Sequence, residues 1–216
     1  MTRKRVAVLI SGRGSNMRSL VEAADSDNYP AEIVAVVSNR PDAPGLKWAS
    51  DRGLPTSVVD HKNFSGRADF EQALTAELAA VNADLICCAG FMRLMTAEFV
   101  TSWEGRMLNI HPSLLPLFKG LHPHEQALAA GVRISGCTVH FVVPEMDSGP
   151  IVAQAAVKVA PDDTAETLAA RILEAEHRLY PLALRLVASG EARLEQGRVI
   201  TNHRFPGGGV LFSPGA

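Results

Sequence analysis

No apolar run in this 216-residue chain approaches the roughly 20 residues that a membrane-spanning helix needs. Cysteine is scarce as well: Cys87 and Cys88 are adjacent and Cys137 is distant, which matches neither a paired disulfide framework nor a zinc-ligand spacing. Buried thiols in a reducing compartment account for all three. An excess of one charge is also missing. The formal net charge is −2, with acids and bases intermixed, so there is no bulk field to hold nucleic acid or a bilayer. No internal repeat is present. The basic start, Met1 to Arg5, leads into an apolar stretch only from Val6 to Ile10, which Ser11-Gly12-Arg13 ends, so it reads as a first strand and not a signal peptide. These exclusions leave a small-molecule enzyme of the cytoplasm as the expectation. A hydrophobic content of 47% over this length supports one sizeable core.

The first half alternates short apolar runs with helical patterns, the runs being Val6 to Ile10, Ile33 to Val37, Ser57 to Val59, Leu85 to Cys88 and Met107 to His111. Such a βα series predicts a parallel sheet. Phe70, Ala73, Leu74, Leu78 and Val81 fall at helical spacing and give one stripe to pack against it. Two longer β-rich runs, Ile134 to Val143 and Ile151 to Val159, predict an antiparallel pair that extends the sheet. A long helix then closes the domain, with Leu168, Ile172, Ala175, Leu179 and Leu182 inward and a kink expected at Pro181. The predicted fold is therefore α/β: a Rossmann-like, mostly parallel twisted sheet with helices on both faces, extended by antiparallel strands in the C-terminal half. One domain is expected over 1–190, its halves meeting near residues 105 and 106. Residues 191–216 are expected as an extension that thins into a partly mobile tail.

Four segments carry candidate chemistry. In Asn109-Ile110-His111-Pro112-Ser113-Leu114-Leu115-Pro116 an apolar strand ends with an amide and an imidazole on one face. Pro112 should stop the strand, placing the pair at its carboxyl end, where open α/β sheets bind ligands. The pair suits stabilisation of an oxyanion in acyl transfer, or is a polar strand terminus. Ser11-Gly12-Arg13-Gly14-Ser15-Asn16 follows a strand and precedes a helix, so it is either an anion-binding turn or a glycine turn with a serine cap. A dinucleotide fingerprint would need glycine where Met17 stands, and a Walker loop would need Gly-Lys-Ser/Thr. Asp147, in Met146-Asp147-Ser148-Gly149-Pro150, can bond its own turn. Glu176 lies along the inward stripe of the last helix, where a charge requires a partner. Phe91-Met92-Arg93-Leu94-Met95 reads as a helix-entry segment with core side chains. His122 and His124 have ligand-like spacing without nearby acids or cysteines, and His140 reads as a satisfied sheet residue.

Together with Asp147, the Asn109 octet resembles the formyltransferases that use 10-formyltetrahydrofolate. The Leu9 to Asn16 segment and Glu176-His177-Arg178-Leu179-Tyr180-Pro181 are similar to the phosphate and ribose segments of the branch acting on glycinamide ribonucleotide. The likeness runs from about Val6 to about Gly190. It implies formyl transfer from 10-formyltetrahydrofolate to that amine in purine synthesis, with no metal. By resemblance, Asn109, His111 and Asp147 are catalytic. Arg13, Gly14, Ser15, Asn16, Leu173, Glu174, Ala175 and Glu176 would hold the ribonucleotide. Arg67, Met92, Arg93, Leu94, Met95, Val143, Pro144, Glu145 and Met146 would lie at the folate. The expected partners are these small molecules, and a homodimer stays open. A methionyl-tRNA formyltransferase and a 10-formyltetrahydrofolate hydrolase share the octet. The first usually carries an additional carboxyl-terminal domain and the second an amino-terminal one, for which this chain leaves little room. A non-catalytic nucleotide-binding module is the reading from a different class.

Overall fold

The computed structural model describes residues 2–202. The chain runs β1 (Lys4–Ile10), α1 (Ser15–Ala24), β2 (Ala31–Ser38), α2 (Pro44–Asp51), β3 (Thr56–Val58), a 3₁₀ turn (His61–Asn63), α3 (Arg67–Ala80) and β4 (Leu85–Cys88). It continues with α4 (Ala97–Ser102), β5 (Met107–His111), α5 (Pro123–Ala129), β6 (Ile134–Phe141), β7 (Ile151–Lys158), α6 (Ala165–Ala188), β8 (Ala192–Glu195) and β9 (Arg198–Thr201). Seven strands form one sheet in the order β3-β2-β1-β4-β5-β6-β7, parallel through β5 and antiparallel from β5 to β7. That is the predicted architecture, and the sheet passes without a break across residue 105.

Central β1 is inaccessible from Val6 to Ile10, as a strand covered on both faces must be. Val6, Val8 and Ile10 face the cluster built with α1 and α6, whereas Ala7 and Leu9 face the one built with α3 and α4. Helices thus cover both faces. On α6 the inward stripe is Leu168, Ile172, Glu176, Tyr180 and Leu184, which steps by four residues. Leu182 lies off this line and is 40% exposed, which corrects its expected inward position. The helix continues through Pro181, whose missing N–H leaves one intrahelical bond unmade. Other differences are local. Residues 91–95 are irregular, not helical, because Thr96 caps α4 by accepting from the Phe99 amide at 3.3 Å. The first part of the expected tail is an antiparallel hairpin, β8–β9, anchored by buried Ala192. Its remainder, 203–216, lies outside the described residues. Among the described residues, no helix is long and apolar enough to cross a membrane.

Buried Tyr180 fastens α6 to the sheet at the end of β4 and the first part of β5: its hydroxyl lies 3.1 Å from the Cys88 carbonyl and 3.2 Å from that of Leu108. Tyr180→Phe removes the donor and keeps the ring. Urea unfolding should show a loss of about 1–3 kcal/mol, the cost of leaving buried acceptors unmatched; unchanged stability would mean that the hydroxyl does not hold the helix.

Candidate active site

At the end of β5, Leu108 and Ile110 enter the core under α6, and Asn109 and His111 take the other face. His111 is 6% exposed. Its Nε2 lies 2.9 Å from the Phe118 carbonyl, which can only accept, so Nε2 carries a proton. Nδ1 faces Asp147 Oδ2 at 3.4 Å. The loop between β6 and β7 therefore returns its aspartate to the end of β5. Two glycine-type constraints shape that return. Asp147 adopts left-handed backbone, φ 50°, which aspartate tolerates better than most residues. Gly149 lies so close to β6 that a Cβ would fall 1.7 Å from the Phe141 carbonyl oxygen, leaving room for glycine alone. Across the site the Gly120 amide donates to Asp147 Oδ2 at 2.8 Å, and Lys119 Nζ donates to Ser148 Oγ at 2.5 Å.

His140 belongs to this cluster, although in the sequence it reads as a satisfied sheet residue. It is satisfied: its Nδ1–H donates to the Phe141 carbonyl at 2.9 Å. Nε2 is then an acceptor in the neutral ring. It lies 3.3 Å from Asn109 Nδ2, with Asp147 Oδ1 at 3.9 Å. Burial, ahead of all else, holds the His140 pKa below the usual imidazole value, which preserves that acceptor. One Asn109 N–H is thus fixed on His140 and the other is left to donate elsewhere. The signal for His140 was its place opposite Asn109 in the antiparallel pair, which requires the register.

Beside the end of β1, α1 opens without a side-chain cap. Its N-cap is Gly14 in left-handed backbone, φ 69°, so the alternative of a serine cap does not hold. A Cβ there would lie 2.8 Å from Met17 Cε. The uncapped first-turn amides are donors for an anion. Asn16 Nδ2 donates to Glu176 Oε2 at 2.7 Å, so the loop and α6 meet. Glu176 is 5% exposed, and burial raises its pKa to about 7 against the lowering effect of the Asn16 bond. Asn16 Oδ1 is buried without a partner. Of the other ribonucleotide candidates, Ser15 and Leu173 are half-buried, Ala175 packs against the core, and Arg13 and Glu174 are exposed.

The Phe91 to Met95 segment is pinned at both ends. Met92 N donates to Ser11 Oγ at 2.8 Å, and Thr96 donates from its amide, at 2.6 Å, and from its hydroxyl to buried Glu71. Nothing in the sequence distinguished Glu71 from a surface helix glutamate. Between the pins Met92 and Leu94 are 65% and 60% exposed, and Met146 on the Asp147 loop is 52% exposed. Exposed large apolar groups at the carboxyl ends of β4 and β5 suit a flat apolar ligand. Met95 and Val143 are half-buried, as is Arg93, whose Nε is buried and unpartnered; Pro144 and Glu145 are exposed. Arg67, the first residue of α3, is exposed. His122 is exposed 3.3 Å from Glu125, and burial lowers the pKa of His124. Among the described residues no group of three or more His, Cys, Asp or Glu is placed to hold a metal.

The raised Glu176 pKa makes a signed prediction. Between the ordinary carboxyl value and about 7 the folded state holds a proton that the unfolded chain has lost, so this group makes stability fall as pH rises through that window. Glu176→Gln should abolish that contribution. Urea unfolding at pH 5 and pH 8 should show a smaller decline for the variant than for the wild type; equal declines would refute a titrating Glu176.

Residues 4–184 match the family model described as formyl transferase. A phosphoribosylglycinamide formyltransferase of Haemophilus influenzae is 42% identical over 192 residues, covering 89% of this chain and 91% of that protein. The trifunctional purine biosynthetic protein adenosine-3 of Gallus gallus is 50% identical over 196 residues, which are 90% of this chain and 20% of that protein. The chain thus spans about a fifth of the length of the trifunctional relatives it matches. In structure it is similar to glycinamide ribonucleotide transformylase 1 from Symbiobacterium toebii, with a TM-score of 0.89 and 44% identity over 92% of this chain and 94% of that one. With the model match covering most of its length and the octet, glycine loop and aspartate in place, this chain belongs to the formyl transferase family.

Proposed function

We propose that this protein transfers the formyl group of 10-formyltetrahydrofolate to the amine of glycinamide ribonucleotide. The observation that carries the reading is the convergence of Asn109, His111 and Asp147 between an uncapped helix start and an apolar rim. The relatives that match over nearly their whole length bear the name of this activity. Both substrates are water-soluble, which supports a cytoplasmic enzyme.

The chemistry follows from which atoms are committed. The amine attacks the formyl carbon, a tetrahedral oxyanion forms, and the carbon–nitrogen bond to the folate then breaks. In sum the amine loses a proton and the folate nitrogen gains one. The free N–H of Asn109 donates to the oxyanion. His111 Nε2–H is held by Phe118, so Nδ1 is the ring atom that gains and loses a proton, and Asp147 beside it pairs with the imidazolium. The ribonucleotide places its phosphate at the Gly14 to Asn16 turn and its ribose hydroxyls toward Glu176. Met92 to Met95 and Val143 to Met146 flank the pterin, and Arg67 serves the outer part of the folate. Holding both reactants in one cleft supplies the orientation.

Loss of one oxyanion donor typically costs about 10²–10³-fold in turnover. Asn109→Ala and His111→Ala should each lower kcat by at least that order, with unfolding midpoints near the wild type. The check is spectrophotometric release of tetrahydrofolate with and without glycinamide ribonucleotide. Near-wild-type rates in both variants would remove these residues from catalysis, and release independent of the ribonucleotide would make the protein a hydrolase.

A further inference from the structure

The Phe91 to Met95 segment has no main-chain ladder of its own, so its place depends on how its two ends are held. At the start, the Ser11 amide donates to the Gly90 carbonyl at 3.1 Å, and Ser11 Oγ accepts from the Met92 amide at 2.8 Å. At the finish, Glu71 Oε1 accepts from the Thr96 amide at 2.6 Å and Glu71 Oε2 accepts from the Thr96 hydroxyl. Between these points the main-chain groups of Arg93 and Leu94 pair with none of the described residues. Phe91 and Met95 pack on the cluster built with α3 and α4, whereas Met92 and Leu94 are exposed. Open N–H and C=O groups between exposed apolar side chains offer a flat heteroaromatic ligand both an edge and a face.

Of the two ends, Glu71 is the one that serves this segment alone. Ser11 adjoins the glycine turn and also donates to Asn39, so a change there would disturb more than one element. Glu71 is 5% exposed and flanks the inward α3 stripe of Phe70, Leu74 and Leu78. Burying a carboxylate costs more than burying an apolar side chain of similar size, so packing of α3 does not call for an acid here. Both of its oxygens are used on Thr96. Two donors from one residue, received by one carboxylate, fix the orientation of Thr96 as well as its position. Thr96 in turn accepts from the Phe99 amide at 3.3 Å, so the same contact sets the start of α4. Arg67 stands four residues before Glu71 on α3, one turn away along the same side of the helix. The carboxylate therefore also sets where the 91–95 segment lies relative to Arg67.

We propose that Glu71 is a positioning residue for the reduced folate: through Thr96 it holds the 91–95 segment at the spacing from Arg67 at which one folate meets both. This role rests on the folate reading above, and binding measured without the ribonucleotide separates the two. Tetrahydrofolate is titrated calorimetrically into the full chain for the wild type, Glu71→Ala and Glu71→Gln. Loss of the charged acceptor in Glu71→Ala should weaken binding about 10- to 100-fold. Glu71→Gln keeps an acceptor for the Thr96 amide, so its affinity should fall between the two, and it bears the weight should the alanine variant fail to fold. Thr96→Val should weaken binding less in the Glu71→Ala background than in the wild type, because both changes remove one contact. In turnover, the KM for 10-formyltetrahydrofolate should rise by a similar factor while kcat and the KM for glycinamide ribonucleotide stay unchanged, a split that general loosening of the fold would not give. Equal tetrahydrofolate affinities in wild type and variants, no wild-type binding of tetrahydrofolate, or a rise in both KM values together would overturn the role even if formyl transfer is observed. Tetrahydrofolate binding that depends on Glu71, without formylation of glycinamide ribonucleotide, would uphold the role and overturn the function.

Discussion

One carboxylate, that of Asp147, joins the three segments from which the candidate site is made. Through Oδ2 it accepts from the Gly120 amide and faces His111 on β5, and through Oδ1 it approaches His140 on β6. None of these segments holds the imidazole alone. The loop that carries Phe118 and Gly120 uses left-handed backbone at both, φ 55° and 76°, which an unsupported phenylalanine rarely adopts. Its strain is tolerated because the Phe118 carbonyl accepts a hydrogen bond from His111 Nε2–H and the Gly120 amide donates to the Asp147 carboxylate. A carboxylate that answers a backbone amide and an imidazole together positions both loops relative to the strand, which a pair of unconnected surface loops could not do.

The change from parallel to antiparallel pairing at β5 makes this possible. A strictly parallel sheet would follow β5 with a crossover helix and carry the next strand's loop away from His111. Here β6 lies alongside β5 in reverse, so Asn109 meets His140 across the ladder and the β6–β7 loop folds back over them. The neutral ring of His140, fixed by its bond to Phe141, then fixes the Asn109 amide. Asn109 is thereby aimed before any ligand arrives, and preorganised donors avoid the reorganisation that water would require.

What could be read from the sequence divides along the same line. Periodicity located the seven strands of the sheet and the long helices, because each buries a face and its residues repeat at that element's period: the all-apolar β1 run and the four-residue steps of α6 are examples. The Asn109–His111 pair was visible because both lie in one strand. Contacts that depend on register or on loop return were not. His140 gains its meaning only opposite Asn109, Glu71 only from Thr96, twenty-five residues away in the chain, and the β8–β9 hairpin only from a core already built. Leu182 was misplaced because a three-residue step from Leu179 is apolar by coincidence, whereas the packed line moves on to Ala183 and Leu184.

Glu176 shows how the two halves of the site communicate through charge. In the free protein it has one donor, Asn16, against nearly complete burial, so its proton is held up to about pH 7. Additional hydroxyl donors would favour the ionised form, and by linkage a ligand that supplies them binds more tightly where the proton is already lost and releases it where it is not. Under the proposed function those donors are ribose hydroxyls, and the phosphate of the same molecule sits at the start of α1 a few residues away. Asn16 is common to both: its backbone belongs to the anion turn and its side chain to Glu176. A ligand that engages the turn therefore acts on the residue that donates to Glu176.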